Sequence, residues 1–180
     1  LTTQEASDLY SEKTGVPALN RALQGLYAPG STFKAVSVVA AKDAGYDLNK
    51  SYACPKEVQV GNRAFQNFES KAQGTLSMKK AIAVSCDTIW YRIAYDEWLR
   101  DGGLKPKSSP NDYFYKAAEK FQMGKKTGVD LPSESSGRLA NRDWRKAWYN
   151  QNKDFYCNYK DRAAKSQQTA FLLQLARENC

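Results

Sequence analysis

Pro29 and Gly30 lead straight into Phe33-Lys34-Ala35-Val36-Ser37-Val38-Val39-Ala40-Ala41. A proline–glycine turn feeding a run of small and β-branched apolar residues predicts a helix that continues to Gly45. At its head stands Ser31-Thr32-Phe33-Lys34. Residues i and i+3 share one helical face about one turn apart, which brings the Lys34 amine within reach of the Ser31 hydroxyl. Ser31 falls near the first turn, where unpaired N–H groups and the positive end of the helix dipole favour developing negative charge. A lysine accepts a proton only when neutral, and apolar surroundings of the kind the Ala/Val run supplies disfavour the charged form. The pattern reads as a serine nucleophile with its own lysine base.

Serine and lysine are common residues, so this spacing alone is weak. Ser77-Met78-Lys79-Lys80 repeats it at another apparent helix start with no Pro-Gly turn before it, and Ser77 is expected to be a cap or surface residue. Composition adds one strong exclusion. The 180 residues contain no histidine, which rules out a Ser-His-Asp triad, a Cys-His pair and most catalytic zinc sites within this chain. A serine enzyme built here needs lysine as its base. The net charge of +8 suits an acidic polymer, an anionic membrane surface or nucleic acid equally well. The length allows one domain with a real core, and no run approaches the roughly twenty apolar residues of a membrane span. Leu1-Thr2-Thr3-Gln4 has no signal-peptide pattern, so any anchor or export signal is expected outside this chain.

Residues 1–15 are polar and without clear periodicity. Tyr46 to Gly74 is rich in turn residues and short alternations such as Val58-Gln59-Val60, which predicts irregular structure with small strands. Helical spacing is expected from Leu76 to Val84, from Thr88 to Leu99 and from Tyr113 to Phe121, with Ser85-Cys86-Asp87 as the turn between the first two. Beyond Gly137 aromatic and basic residues dominate, and Thr169 to Asn179 reads as a final helix. No strand pattern long enough for a central sheet is visible. Among Cys54, Cys86, Cys157 and Cys180 there is no C-x-x-C pair. Cys157 and Cys180 bracket a basic stretch that a disulfide would staple, which would imply an oxidising, extracytoplasmic setting. Cys86 is expected to be a small buried residue.

Ser31-x-x-Lys34 joined to Ser85-Cys86-Asp87 resembles the penicilloyl-serine acyltransferases, which place a second serine opposite the nucleophile. Neighbouring words extend the likeness: Asn20-Arg21-Ala22-x-x-Gly25-x-Tyr27-x-Pro29-Gly30-Ser31, Asn67-Phe68-Glu69 and Thr127-Gly128-Val129-Asp130-Leu131-Pro132-x-Glu134. Together they resemble the transpeptidase domain of class B penicillin-binding proteins, most of all the elongation-type penicillin-binding protein 2 group of actinobacteria. The resemblance is clear from Val16 to Leu139 and weaker to Cys180. It implies an α/β fold of the β-lactamase/transpeptidase type, of which residues 1–180 form the mostly helical part. The central sheet is largely missing, and 141–180 is a basic aromatic insertion.

By the same resemblance Ser31 attacks the penultimate D-alanine of a peptidoglycan stem peptide and Lys34 takes its proton. Ser85 relays a proton to the leaving amine, and Asp87 orients Lys34 or the substrate amide. β-Lactams are trapped at Ser31. No cofactor or metal is implied. The implied partners are stem peptides, β-lactams and a membrane lipid-II polymerase, on the extracytoplasmic face of a bacterial membrane. Asp87 stands where the superfamily commonly has asparagine, and without Ser31 the pair Ser85 and Asp87 would read as caps for the helix after it. The family's Lys-Thr/Ser-Gly strand is not found: Lys13-Thr14-Gly15 precedes the nucleophile and Lys126-Thr127-Gly128 belongs to the Thr-Gly-Val-Asp-Leu-Pro word. That strand is expected past Cys180, and with it one donor of the oxyanion hole. Three rival readings stand beside this one: a serine β-lactamase or β-lactam sensor, a nucleic-acid surface over Asn141 to Lys165, and a folded non-catalytic binding module.

Overall fold

The computed structural model describes residues 1–159. They fall into two compact units, Leu1–Leu139 and a second that begins at Ala140.

In the first unit, Thr2 and Glu5 form a reciprocal capping box, Glu5 N donating to Thr2 Oγ1 at 3.2 Å and Thr2 N to Glu5 Oε2 at 2.7 Å. This starts α1 (Thr3–Leu9), a helix in a stretch whose lack of apolar periodicity predicted none. A cap supplies here what an apolar stripe does elsewhere. α2 (Arg21–Gln24) follows, capped by the Asn20 side chain. A 3-10 turn over Gly30–Phe33 then runs into α3 (Lys34–Asp43), close to the helix expected behind Pro29-Gly30, and Gly45 leaves it in the left-handed region at φ +87°.

Next come β1 (Ser51–Cys54), β2 (Glu57–Val60), β3 (Arg63–Gln66) and β4 (Gly74–Ser77). They make two antiparallel pairs, β1 with β4 and β2 with β3, and Cys54 lies opposite Gly74. α4 (Met78–Ala83), α5 (Thr88–Arg100) and α6 (Tyr113–Lys120) complete the unit. The helix expected from Leu76 begins two residues later, because Leu76 pairs with Tyr52 in the strand ladder. Ser77 N-caps α4, its Oγ accepting from Lys80 N at 3.3 Å, so the second Ser-x-x-Lys is a helix cap.

α3 is buried on two sides. Val36 and Ala40 pack with Ala117 and Ala118 of α6, and Ala41 joins Met78, Ala81, Ile89, Trp90 and Ile93 of α4 and α5. The small side chains let the helices approach closely, and each fully buried Ile or Met contributes about 1.5–3 kcal/mol. The Lys120–Asp43 bridge between α6 and α3 is solvent-exposed on the lysine side. Such pairs contribute about 0–1 kcal/mol, so packing holds α6 in place. Asp101, buried at the end of α5, accepts from Asn111 N and Asp112 N at 2.8 Å each, folding the linker back so that α6 can begin.

Cys86 is buried, as expected, and it is also bonded to Cys54, a pairing the sequence reading did not make. The bond ties the Ser85–Asp87 turn to the end of β1 across 32 residues. Closing a loop of that size removes denatured-state entropy equivalent to about 3–4 kcal/mol. The Cys54→Ala/Cys86→Ala double variant is therefore expected to melt about 10 °C below the parent. Calorimetry with and without reductant checks this: a reductant-insensitive melting temperature, unchanged in the variant, contradicts it. The pairing expected of Cys157 with Cys180 and the helix expected over Thr169 to Asn179 lie outside the described residues.

The second unit contains α7 (Arg142–Tyr159), where the sequence suggested only a basic aromatic stretch. Asn141 Oδ1 accepts from Trp144 N at 2.7 Å at its start, and the Trp144 and Trp148 rings stack one turn apart. No helix among the described residues is long and apolar enough to cross a membrane.

Candidate active site

Gly30, at φ +53°, turns the chain into the 3-10 segment, and Thr32 fastens the turn by donating its N–H and its Oγ1 to Pro29 O at 3.2 and 2.5 Å. This leaves Ser31 exposed at the helix head while Lys34, one turn on, is only 7 % exposed. Lys34 Nζ donates to Ser31 Oγ at 3.0 Å.

The opposing turn is made by the end of α4. Ser85 N donates to Ile82 O and Cys86 N to Ala81 O, the paired bonds of a helix end that needs a left-handed residue just past its cap. That position usually carries glycine; here it is Ser85, at φ +54°. A left-handed non-glycine residue costs about 1–2 kcal/mol. The conformation carries Ser85 Oγ to 3.0 Å from Ser31 Oγ, which accepts its proton. Lys34 Nζ donates to Ser85 Oγ at 2.7 Å and to Ser85 O at 2.8 Å, and it pairs with Asp87 Oδ1 at 2.5 Å. Asp87 precedes α5, yet its side chain makes no capping bond. It faces Lys34, and its Oδ2 accepts from Phe68 N at 3.3 Å.

All four residues singled out in the sequence thus meet at one point, and the cap reading of Ser85 and Asp87 does not hold for their side chains. Ser31, Lys34 and Asp87 line a cleft of about 440 Å³ whose walls also include Phe33, Ser37, Trp90, Tyr91, Ala94 and Phe114. Burial, and then the Asp87 carboxylate, hold the Tyr91 phenol above its ordinary range, so it remains a neutral hydroxyl beside the site. Neither decoy contributes. Lys13 and Thr14 lie in a 3-10 turn over Glu12–Thr14. Thr127 Oγ1, Thr127 N and Gly128 N donate to the Glu134 carboxylate, and the Thr127 hydroxyl, followed by the Thr127 amide, holds that carboxyl below its ordinary range.

One contributor went unread in the sequence. Asn67, 6 % exposed, accepts at Oδ1 from Asp87 N and Thr88 N at 2.9 and 3.1 Å. The word Asn67-Phe68-Glu69 was a signal, although its geometric use was not.

With no histidine in the chain, this geometry defines a site of the kind in which a helix-borne serine is served by a lysine one turn away. The chain belongs to the penicillin-binding protein transpeptidase domain family, whose model matches residues 2–177. It is similar to the peptidoglycan D,D-transpeptidase MrdA of Acinetobacter baumannii, with 33% identity over 139 residues, 72% of this chain and 18% of that protein. The chain therefore spans under a fifth of the length of that relative.

Among solved structures it is similar to Pseudomonas aeruginosa PBP2 in complex with WCK 5153, with TM-score 0.66, 27% identity, and 84% of this chain and 32% of that one covered. A second is from a peptidoglycan synthase complex that coordinates polymerization and crosslinking, with TM-score 0.63, 25% identity, and 98% and 26% covered. The fold is the helical portion of a transpeptidase domain with a few short strands.

Proposed function

We propose that the complete protein carrying this chain is a peptidoglycan D,D-transpeptidase that works through an acyl-serine on Ser31 and is acylated there by β-lactams. The observation that carries this reading is a single buried amine, Lys34 Nζ, within hydrogen-bond reach of two serine hydroxyls from different elements. With Lys34 in its neutral amine form, Ser31 Oγ attacks the carbonyl of the penultimate D-alanine of a stem peptide as its proton passes to Lys34 Nζ. The bond to the terminal D-alanine breaks, and the leaving amine receives a proton through Ser85. An amine of a neighbouring strand then attacks the ester, forms the cross-link and returns the proton to Ser31. Asp87 orients Lys34 throughout. The N–H groups of the first helical turn favour the charge that develops on the carbonyl oxygen.

A β-lactam follows the same first step, but its cleaved amide nitrogen stays tethered beside the ester and obstructs the incoming amine. The Cys54–Cys86 disulfide suits an oxidising compartment and supports placement on the extracytoplasmic face of a bacterial membrane. The similarity to a synthase-complex subunit supports a lipid-linked glycan polymerase as partner.

The test is incubation of the complete protein with a penicillin, followed by intact mass and peptide mapping. One long-lived adduct on Ser31 is expected. A folded sample that takes no adduct overturns the proposal, and an adduct that hydrolyses within minutes moves the reading to a β-lactamase.

A further inference from the structure

The Ser85–Asp87 turn is tied to β1 by the Cys54–Cys86 disulfide, and Thr88 Oγ1 donates to Pro55 O at 2.9 Å, yet no side chain of the turn caps the start of α5. The side chain of Asp87, the residue before that helix, accepts no capping bond, and the first N–H groups of a helix have no partner within it. The partner comes from twenty residues upstream. Asn67 Oδ1 accepts from both Asp87 N and Thr88 N. Its Nδ2 donates to Pro55 O at 2.8 Å and Lys71 O at 2.9 Å. The backbone on either side is fixed too, Asn67 N donating to Lys56 O and Ser70 N to Asn67 O. The next residue reaches the functional carboxylate directly, Phe68 N donating to Asp87 Oδ2. Both the main chain and the side chain of Asp87 are therefore held by two consecutive residues of the segment after β3. That segment is in turn anchored to the loop after β1.

We infer that Asn67 is a positioning residue for the acylation reaction, acting through Asp87 and Ser85 to set their distances to Lys34 and Ser31. It touches neither serine and has no chemistry of its own in the cleft. The side chain carries both an acceptor and donors, and each end is used: the acceptor on the turn, the donors on the carbonyls of Pro55 and Lys71. Alanine removes both ends. Aspartate has the same shape and keeps the acceptor for the two turn amides while losing the donors. A displacement of about 1 Å in such a constellation costs about 100-fold in rate.

This inference rests on the acyl-serine reading, and the experiment separates the two. The complete protein and its Asn67→Ala and Asn67→Asp variants are reacted with a fluorescent penicillin, recording both the rate constant of acylation and the final labelled fraction. Crystal structures of all three are compared. Asn67→Ala is expected to label to completion with a rate constant about 10- to 100-fold lower, and with the Lys34–Asp87 contact of 2.5 Å lost. Asn67→Asp is expected to recover the rate to within about threefold of the parent even where it melts lower.

A purely structural role lowers the labelled fraction and leaves the rate constant of the folded molecules alone; that result overturns the proposal. So does an Asn67→Asp variant whose folded molecules react as slowly as the alanine variant. If alanine does not fold, Asn67→Ser, whose hydroxyl is too short to reach both turn amides, takes its place: a lowered rate constant of its folded molecules upholds the proposal and a parent-like one overturns it. If the parent itself takes no label, the acyl-serine reading falls. The crystal structures then judge the positioning role: the turn displaced in Asn67→Ala upholds it, and unchanged distances to Lys34 and Ser31 refute it.

Discussion

Exchange of Ser31 for alanine is expected to abolish covalent labelling by penicillin completely while leaving the fold and its stability almost unchanged. Both halves follow from where the side chain sits. Ser31 is exposed at the head of the helix and lines the cleft beside Lys34, whereas Ser85 is half-buried. Ser31 contributes little to the core. Its hydroxyl meets Lys34 and Ser85, and both retain other partners when it is gone, since Lys34 still reaches Ser85 O, Ser85 Oγ and Asp87. A loss of about 0.5–1 kcal/mol is the expected ceiling. Intact mass after prolonged incubation reads the first half, and urea denaturation the second. A residual adduct mapped to Ser85 would mean that the second serine is itself the nucleophile. One mapped to Ser77 would contradict its role as the cap of α4.

The nucleophile and its base were legible because their spacing is local. Ser31 and Lys34 lie on one helical face whatever the rest of the chain does, and the Pro29-Gly30 turn locates the helix head. The turn at Ser85 was legible as a break between two apolar runs. That Ser85 sits in a left-handed conformation, and so aims its hydroxyl back at Ser31, depends on how α4 ends, and serine gives no hint of it where glycine would. Contacts that cross the chain were out of reach. Cys54 and Cys86 are separated by the β2–β3 hairpin, β4 and α4, a path periodicity cannot trace, and the basic stretch between Cys157 and Cys180 favours the other pair. Asn67 is polar and lies in a loop-rich segment, where most asparagines face water. Its burial and five side-chain hydrogen-bond contacts exist only once β1, the segment after β3 and α5 have met. Two local signals were present and went unused: Thr2-x-x-Glu5, which starts α1, and Asn141-x-x-Trp144, which starts α7.

Lys34→Met is expected to slow acylation by about 10²- to 10⁴-fold, the range a positioned general base supplies, and Ser31 will still be present to react at the residual rate. Methionine nearly conserves length and volume in a site that is 7 % exposed, so packing against α5 survives. Charge balance does not. Asp87, 19% exposed in its side chain, loses the amine 2.5 Å away and among the described residues keeps the Phe68 N–H. Removing one member of a fully buried pair costs about 3–5 kcal/mol; the water that reaches Asp87 reduces this to about 1–2 kcal/mol. A slow variant that is also less stable would leave the lysine's chemistry confounded with its ion pair. The Lys34→Met/Asp87→Asn double variant separates them: an amide carries no charge and is expected to recover most of the lost stability. If Lys34 is the base, the double variant melts near the parent and acylates as slowly as Lys34→Met alone. If Lys34 serves only to neutralise Asp87, removing both charges restores the rate along with the stability, and recovery to within tenfold of the parent would assign the proton transfer to some other group.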